Sequence, residues 1–171
     1  MRFEKATVDE LITAVFPRQI NPAVRDDFRS AAILCPKNEQ CFQINDKILN
    51  ERVAGEPKTY ISIDKVCTDD EDDNFVPPEY LHSITPSGMP PHILTLKIGA
   101  VIMLLRNLDA RRGLCNGTRI IVTNLYPNVI SGEILTGAFR GNVVYIPRII
   151  NVSNEDGMSF KFERRQFPVR K

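Results

Sequence analysis

Tryptophan is absent from this chain, histidine occurs only as His82 and His92, and none of the four cysteines, Cys35, Cys41, Cys67 and Cys115, stands in Cys-x-x-Cys spacing. No zinc-ligand cluster is therefore written in the sequence, and no metal ligand is assigned. Reduced, partly buried thiols of an intracellular protein are the expectation. Long apolar runs are missing too: the longest, residues 100–105, is far too short to span a bilayer, so no membrane is expected. The start, "MRFEKATVDE", has an early acidic residue and no apolar core, which excludes a secretory signal reading. Neither sign of charge dominates. With 22 Lys and Arg against 21 Asp and Glu the net charge is +1, so any basic surface has to be local.

Catalytic signatures are also lacking. "GEILTGAF", residues 132–139, has the glycine spacing of a phosphate loop, but Ala138 and Phe139 stand where lysine and a hydroxyl are needed. Without them nothing holds the β- and γ-phosphates or ligates magnesium. Gly-x-Ser-x-Gly, His-Glu-x-x-His and Gly-x-Gly-x-x-Gly do not occur. No catalytic residue is assigned.

What is present begins with "KATVDELITAVFP", where Thr7 and Glu10 form a capping box ahead of the apolar face Leu11, Ile12, Val15 and Phe16. A helical turn is expected after Asn21-Pro22. "AAILCPKNEQCFQIND" reads as a short buried strand over residues 31–34, then a helix from Glu39 to about Arg52 with Asn38 as its N-cap. Lys37 and Asn38 at a helix N-terminus suit a phosphate, or else are a solvated loop residue and a plain cap. "KTYISIDKV" reads as one strand. Five acidic residues, 69–73, and five prolines before His92 then make a long irregular connection.

From residue 94 the pattern changes to short strands, expected over residues 100–106, 118–125, 129–135, 142–147 and 158–163, with turn chemistry between them. Their number and spacing predict a small SH3-like β-barrel. The fold class is thus α+β: a strand-turn-helix α/β segment followed by a small β-barrel.

The connection "RNLDARRGLCNGTR" carries more polar chemistry than a chain reversal needs. Arg111, Arg112, Asn116, Thr118 and Arg119 read either as a solvated hairpin tip or as a groove tracking a nucleic-acid backbone.

The segment "TPSGMPPHILTLKIGAVIMLLRNLDARRGLCNGTRIIVTNLYPNVISGEILTG", with "AAILCPKNEQCFQIND" before it and "FKFERRQFPVR" after it, resembles the Pif-type DNA helicases, in particular their Helitron-transposon branch. The resemblance implies a fragment of an ATP-dependent five-prime-to-three-prime helicase with two RecA-like domains, an SH3-like barrel inserted in the second; by it, residues 1–93 are a partial RecA-like α/β segment, 94–165 the barrel and 166–171 the start of the return to the RecA-like domain. By it, Lys37, Asn38, Arg106, Asn107, Asn116, Gly117, Thr118 and Arg119 fall on DNA-contacting segments. Thr118 and Arg119 are the better DNA candidates, and Asn116-Gly117 is expected to be partly structural. The implied partners are single-stranded DNA and the remainder of the helicase. ATP and magnesium belong to the parent enzyme and are not expected to bind this chain, which alone is expected to be inactive. A nuclear location follows from the same resemblance. A free-standing SH3-like protein-interaction module and a non-functional transposon relic are the alternatives.

Overall fold

The computed structural model describes residues 7–16, 32–67, 76–153 and 160–171. The turn expected after Asn21, the acidic run at 69–73 and the start of the strand expected at 158–163 lie outside them.

Helix α1 (Val8–Val15) starts on the expected capping box: the Glu10 amide donates to Thr7 Oγ1 at 3.3 Å and the Thr7 amide to Glu10 Oε2 at 2.8 Å. Helix α2 (Asn38–Arg52) begins one residue earlier than a cap at Asn38 requires. Lys37 is the N-cap, extended at φ −126° and ψ 141° with no side-chain cap bond, because the extended backbone runs one residue past Pro36. The strand expected at 31–34 does not appear among the described residues 32–35, and Leu34 is 93% exposed. An apolar run becomes a buried strand only where neighbours take its ladder bonds, and none of the described strands pairs there.

"KTYISIDKV" is two strands. β1 (Lys58–Ile61) and β2 (Ile63–Cys67) part at Ser62, whose amide leaves the ladder to bond the His92 carbonyl at 2.9 Å. A short helix, α3 (Pro78–Ser83), follows, with proline at its first position. Then come β3 (Ile93–Leu96), β4 (Val101–Leu104), β5 (Arg119–Leu125), β6 (Val129–Ile134), β7 (Val143–Pro147), β8 (Ile149–Val152), β9 (Lys161–Gln166) and β10 (Val169–Arg170).

These strands do not close into the expected barrel. They form a five-stranded sheet ordered β10-β4-β5-β6-β7, a three-stranded sheet ordered β2-β9-β8, and the pair β1-β3. The strand meant to complete the barrel, β9, is taken instead by β2 and β8, and the two-residue β10 fills the place beside β4. All pairings are antiparallel.

The five-stranded sheet is covered on both faces. Ile102, Leu104, Ile120, Val122, Ile130 and Val169 point to one core with Tyr60, Leu94 and Phe167. Ala100 and Ile121 point the other way, onto Leu49 and Val53 of the α2 region and Phe16 after α1. Alternate residues of a strand face opposite sides, so adjacent Ile120 and Ile121 are both buried. Gly132 of β6 permits the closest approach: a Cβ there would lie 2.4 Å from Ile120 Cγ2 and 2.6 Å from the Ile121 carbonyl oxygen.

A buried polar knot ties the three-stranded sheet to the 80s loop. Arg164 of β9 is 0% exposed. Its Nε and Nη2 donate to Asp64 at 2.7–3.2 Å, its Nη1 to the carbonyls of Ile84 and Pro90, and its Nη2 also to that of Leu81. Each of the five guanidinium protons has an acceptor, the condition under which burying the charge is tolerable.

Candidate nucleic-acid interface

The polar connection between β4 and β5 is built by its own side chains. Asp109 accepts from the Arg111 amide at 3.1 Å and caps the single 3-10 turn Ala110–Arg112. Gly113 closes that turn at φ 79°, and Phe139 packs where its Cβ would be, 2.6 Å away. Asn107 Oδ1 accepts from the Asn116 amide at 2.8 Å. Thr118 donates its hydroxyl to the Gly113 carbonyl at 2.8 Å, and the same oxygen accepts from the Cys115 amide at 3.2 Å.

The Asn-Gly step is not a two-residue hairpin turn. The Thr118 amide bonds the Cys115 carbonyl at 3.0 Å, Gly117 has φ 86°, and Asn116 is not left-handed. A positive φ at the third turn position alone is type II geometry, so Gly117 is needed there and Asn116 is not strained. Asn107, Asp109 and Thr118 thus hold the loop's shape, which accounts for part of its polarity.

What faces solvent is the remainder. Arg111, Arg112 and Asn116 are exposed, with Arg112 Nε 3.5 Å from Asp109 Oδ2. Arg106 is half-buried and its Nη2 lies 3.5 Å from the Val152 carbonyl of β8. These groups form a rim of cations and exposed amides along one end of the five-stranded sheet.

Arg119 goes elsewhere. It opens β5 opposite Met103, on the face of Ile121 rather than that of Ile120. There it lines a cleft of about 370 Å³ between the sheet and α2, with Asn38, Cys41, Asn45, Met103 and Arg170. Burial lowers its pKa from the ordinary value, yet a guanidinium stays charged at any working pH. Lys37 is exposed beside Asn38 at the start of α2. The eight residues named from sequence therefore fall in two neighbourhoods: Arg106, Asn107, Asn116, Gly117 and Thr118 at the rim, and Lys37, Asn38 and Arg119 at the cleft.

Two further groups at the cleft have no sequence signal. Arg170 arrives because β10 pairs with β4, Arg170 opposite Met103. Lys171 arrives beside it, its ammonium on Asp46 and its carbonyl accepting from Asn45 Nδ2 at 2.9 Å. A two-residue strand is too short to show periodicity.

The nucleotide and magnesium implied for the parent enzyme have no fitting seat in the loop that mimics a phosphate binder. Gly132 is inside β6, Gly137 is in a turn at φ 82°, and β7 rather than a helix follows. A phosphate cradle needs amides at a helix N-terminus.

Among the described residues, Asp64, His82 and His92 come close enough to share an ion. Their bonding argues against it. Asp64 is engaged by Arg164 and by the Ser62 hydroxyl at 2.6 Å, and the two imidazoles stack at 3.8 Å and 11°, which sets their in-plane lone pairs parallel rather than convergent.

A β-rich module backed by α2 and edged by a cation-bearing loop is the class that fold and rim define, and comparison with known proteins shows what it is similar to. Residues 79–125 match the DNA helicase Pif1, 2B domain. The chain is Pif1-like. It is 28% identical over 120 residues to the ATP-dependent DNA helicase PIF1 of Danio rerio, an alignment covering 70% of this chain and 17% of that protein. Its fold is similar to Pif1 helicase from Bacteroides in complex with ADP-AlF3 and ssDNA, with TM-score 0.54 and 22% identity over 96% of this chain and 34% of the other. It is also similar to Pif1 helicase from Candida albicans, with TM-score 0.53 and 18% identity over 95% and 42%. The chain thus spans a minor part of the length of each of these relatives.

Proposed function

We propose that this chain is a DNA-binding part of a Pif1-type helicase, acting five-prime to three-prime on DNA at the expense of ATP, and that its own contribution is contact with the backbone of a single strand. The nucleotide and magnesium are supplied by the remainder of that enzyme, and the chain alone is inactive. The five-stranded sheet, open rather than closed, occupies the place of the insert, and the branch is that of the Helitron transposons, working in the nucleus.

One observation carries this reading. Asn38 and Arg119, distant in sequence, line one cleft, and exposed Lys37 precedes Asn38 in the chain. The cleft's cations and amide groups suit phosphate and sugar, and exposed Phe42 in the same lining offers one face for a base to stack on. A second face favours the remainder of the helicase as a protein neighbour: Ile61, Ile63, Ile93 and Ile150 are 59–67% exposed. Ile61 lies opposite Ile93. Ile63 and Ile150 flank Arg165 across β9. Exposed aliphatic groups gathered this way mark protein contact.

Fluorescence anisotropy with labelled oligo-dT across a salt series tests the DNA reading. Binding is expected to weaken linearly in log salt, with a slope of about −0.7 for each phosphate contact. No binding at the lowest salt would overturn it.

A further inference from the structure

The cleft between α2 and the five-stranded sheet is charged at one end and apolar at the other. On the sheet wall, Arg170 and Arg119 are both paired opposite Met103, one on each side of it. Side chains of directly opposed residues share a face, so a guanidinium stands on each side of the Met103 thioether. The two arginines start roughly 10 Å apart, which is two strand spacings. Both keep part of their surface open. On the helix wall, Asn38, Phe42 and Asn45 recur at intervals of three and four residues and so share one face of α2. Asn45 Nδ2 donates to the Lys171 carbonyl at 2.9 Å, which holds that wall against the end of β10. Further along, the walls become Leu49 and Val53 facing Ala100, all of them buried.

Phosphate and sugar account for the charged end alone. The apolar part, with exposed Phe42 on one wall and Met103 on the other, calls for a flat apolar body joined to the anion. A nucleobase carrying its own phosphate has that form, and any base can stack on an aromatic face. At about 370 Å³ the space lies at the small end of the range for pockets that hold one small ligand, which fits one nucleotide and not a base pair.

We propose that this cleft seats a single nucleotide of the strand, its base between Phe42 and Met103 and its phosphate on Arg119 and Arg170. The seat presupposes the DNA binding proposed above and adds a base to the backbone contact. The seated base is turned out of the run of stacked bases, because the cleft has no room for a neighbour beside it. The amide protons of Asn45 are engaged by the Lys171 carbonyl and, at 3.6 Å, by the Cys41 sulfur. Stacking rather than hydrogen-bond readout therefore holds the base, and the seat accepts thymine and cytosine alike.

The test is fluorescence anisotropy of the full chain with labelled oligo-dT and with a deoxyribose-phosphate oligomer of equal length that carries no bases. Oligo-dT is expected to bind roughly five- to a hundredfold more tightly, the worth of one stacked base. Phe42→Ala should bring the two affinities together, Phe42→Tyr should keep them apart, and oligo-dC should match oligo-dT. In the unsubstituted chain, oligo-dT carrying 5-iodouracil should crosslink under ultraviolet light at Phe42 or Met103. Equal affinity for the two oligomers, or crosslinks confined to Tyr126 or Tyr145, overturns the seat and leaves the backbone contact standing. A preference for oligo-dT that survives Phe42→Ala overturns it as well. Displacement of oligo-dT by an equal concentration of free thymidine monophosphate overturns the assignment to a strand. No binding of either oligomer at the lowest salt overturns the DNA reading and the seat together.

Discussion

Arg164 and Asp64, one hundred positions apart, form a two-toothed ion pair in which Nη2 lies 2.7 Å from Oδ2, with side-chain exposures of 0% and 1%. Because Arg164 also holds the carbonyls of Leu81, Ile84 and Pro90, this contact clasps β2, β9 and the 80s loop together. Replacing Asp64 by Asn removes the counter-charge and leaves the guanidinium buried. The expected loss is about 3–5 kcal/mol, the range for breaking a buried pair from one side. Urea unfolding of the Asp64→Asn chain measures it, and a change below about 1 kcal/mol, the range of an exposed pair, would mean that water reaches the site.

The same knot sets the acid side of the stability profile. Burial by itself would raise the Asp64 pKa, but the hydrogen bonds from Arg164 and Ser62 outweigh it and hold the carboxyl below its usual value. For a depressed carboxyl, the stabilisation is complete above the unfolded pKa of about 3.9 and is lost as pH falls through the folded value. His92 is also depressed, by burial first and then by neighbouring His82, with Arg164 adding to this and Asp64 opposing it. The unfolded histidine therefore takes up protons before the folded one does, and its contribution declines as pH falls from about 6.5. The hydrogen-bond chain sets the tautomer: Ser62 donates to Asp64, so His92 Nδ1–H donates to the Ser62 oxygen at 2.8 Å. Thermal melts should show a first decline below about pH 6.5 and a second below about pH 4. His92→Gln should remove the first and spare the second.

Gly132→Ala probes the close approach of β6 to β5. The new methyl would meet the Ile120 side chain and, more seriously, the Ile121 carbonyl, which belongs to the sheet and cannot swing away. A destabilisation of about 1–3 kcal/mol is expected, as for other overpacked cores. If the collision with Ile120 Cγ2 were the whole cause, Gly132→Ala would cost nothing in an Ile120→Ala background, where that methyl is gone; with the carbonyl involved, chemical denaturation should still find a loss there.

At the rim, stability and DNA binding should separate by residue. Thr118→Val leaves the Gly113 carbonyl and Cys115 amide without their hydroxyl partner and should cost about 1–3 kcal/mol in unfolding experiments. Arg106→Ala and Lys37→Ala should instead leave folding within about 0.5 kcal/mol of the parent, as for surface changes. Each should make the oligo-dT salt slope shallower by about 0.7. Unchanged slopes in both would remove these two cations from the DNA contact.

The parts legible in sequence were those decided by neighbours along the chain. The Thr7–Glu10 capping box acts over three residues, and α1 begins where it says. The short β-forming runs and the turn signals between them over residues 118–147 mark β5, β6 and β7 directly, although only β7 alternates buried and exposed residues. The rim's residue types were legible for the same reason, although their roles were not: nothing in the order Gly-Leu-Cys-Asn-Gly-Thr says that the threonine hydroxyl will turn back onto Gly113.

Distance decided the rest. An apolar run such as residues 31–34 carries the composition of a strand, yet strand pairing needs a partner, and composition does not say whether one is there. Whether β9 would close a barrel or join β2 and β8 rested on which edge offered its amides and carbonyls a full ladder, together with a pocket for the Arg164 charge. The placement of Arg119 in a cleft with Asn38, and of Arg170 beside it, followed from packing the second face of the sheet against α2. Local pattern sets backbone preference and which side of each element is apolar; only the three-dimensional meeting of those sides settles which polar groups are left to share a site.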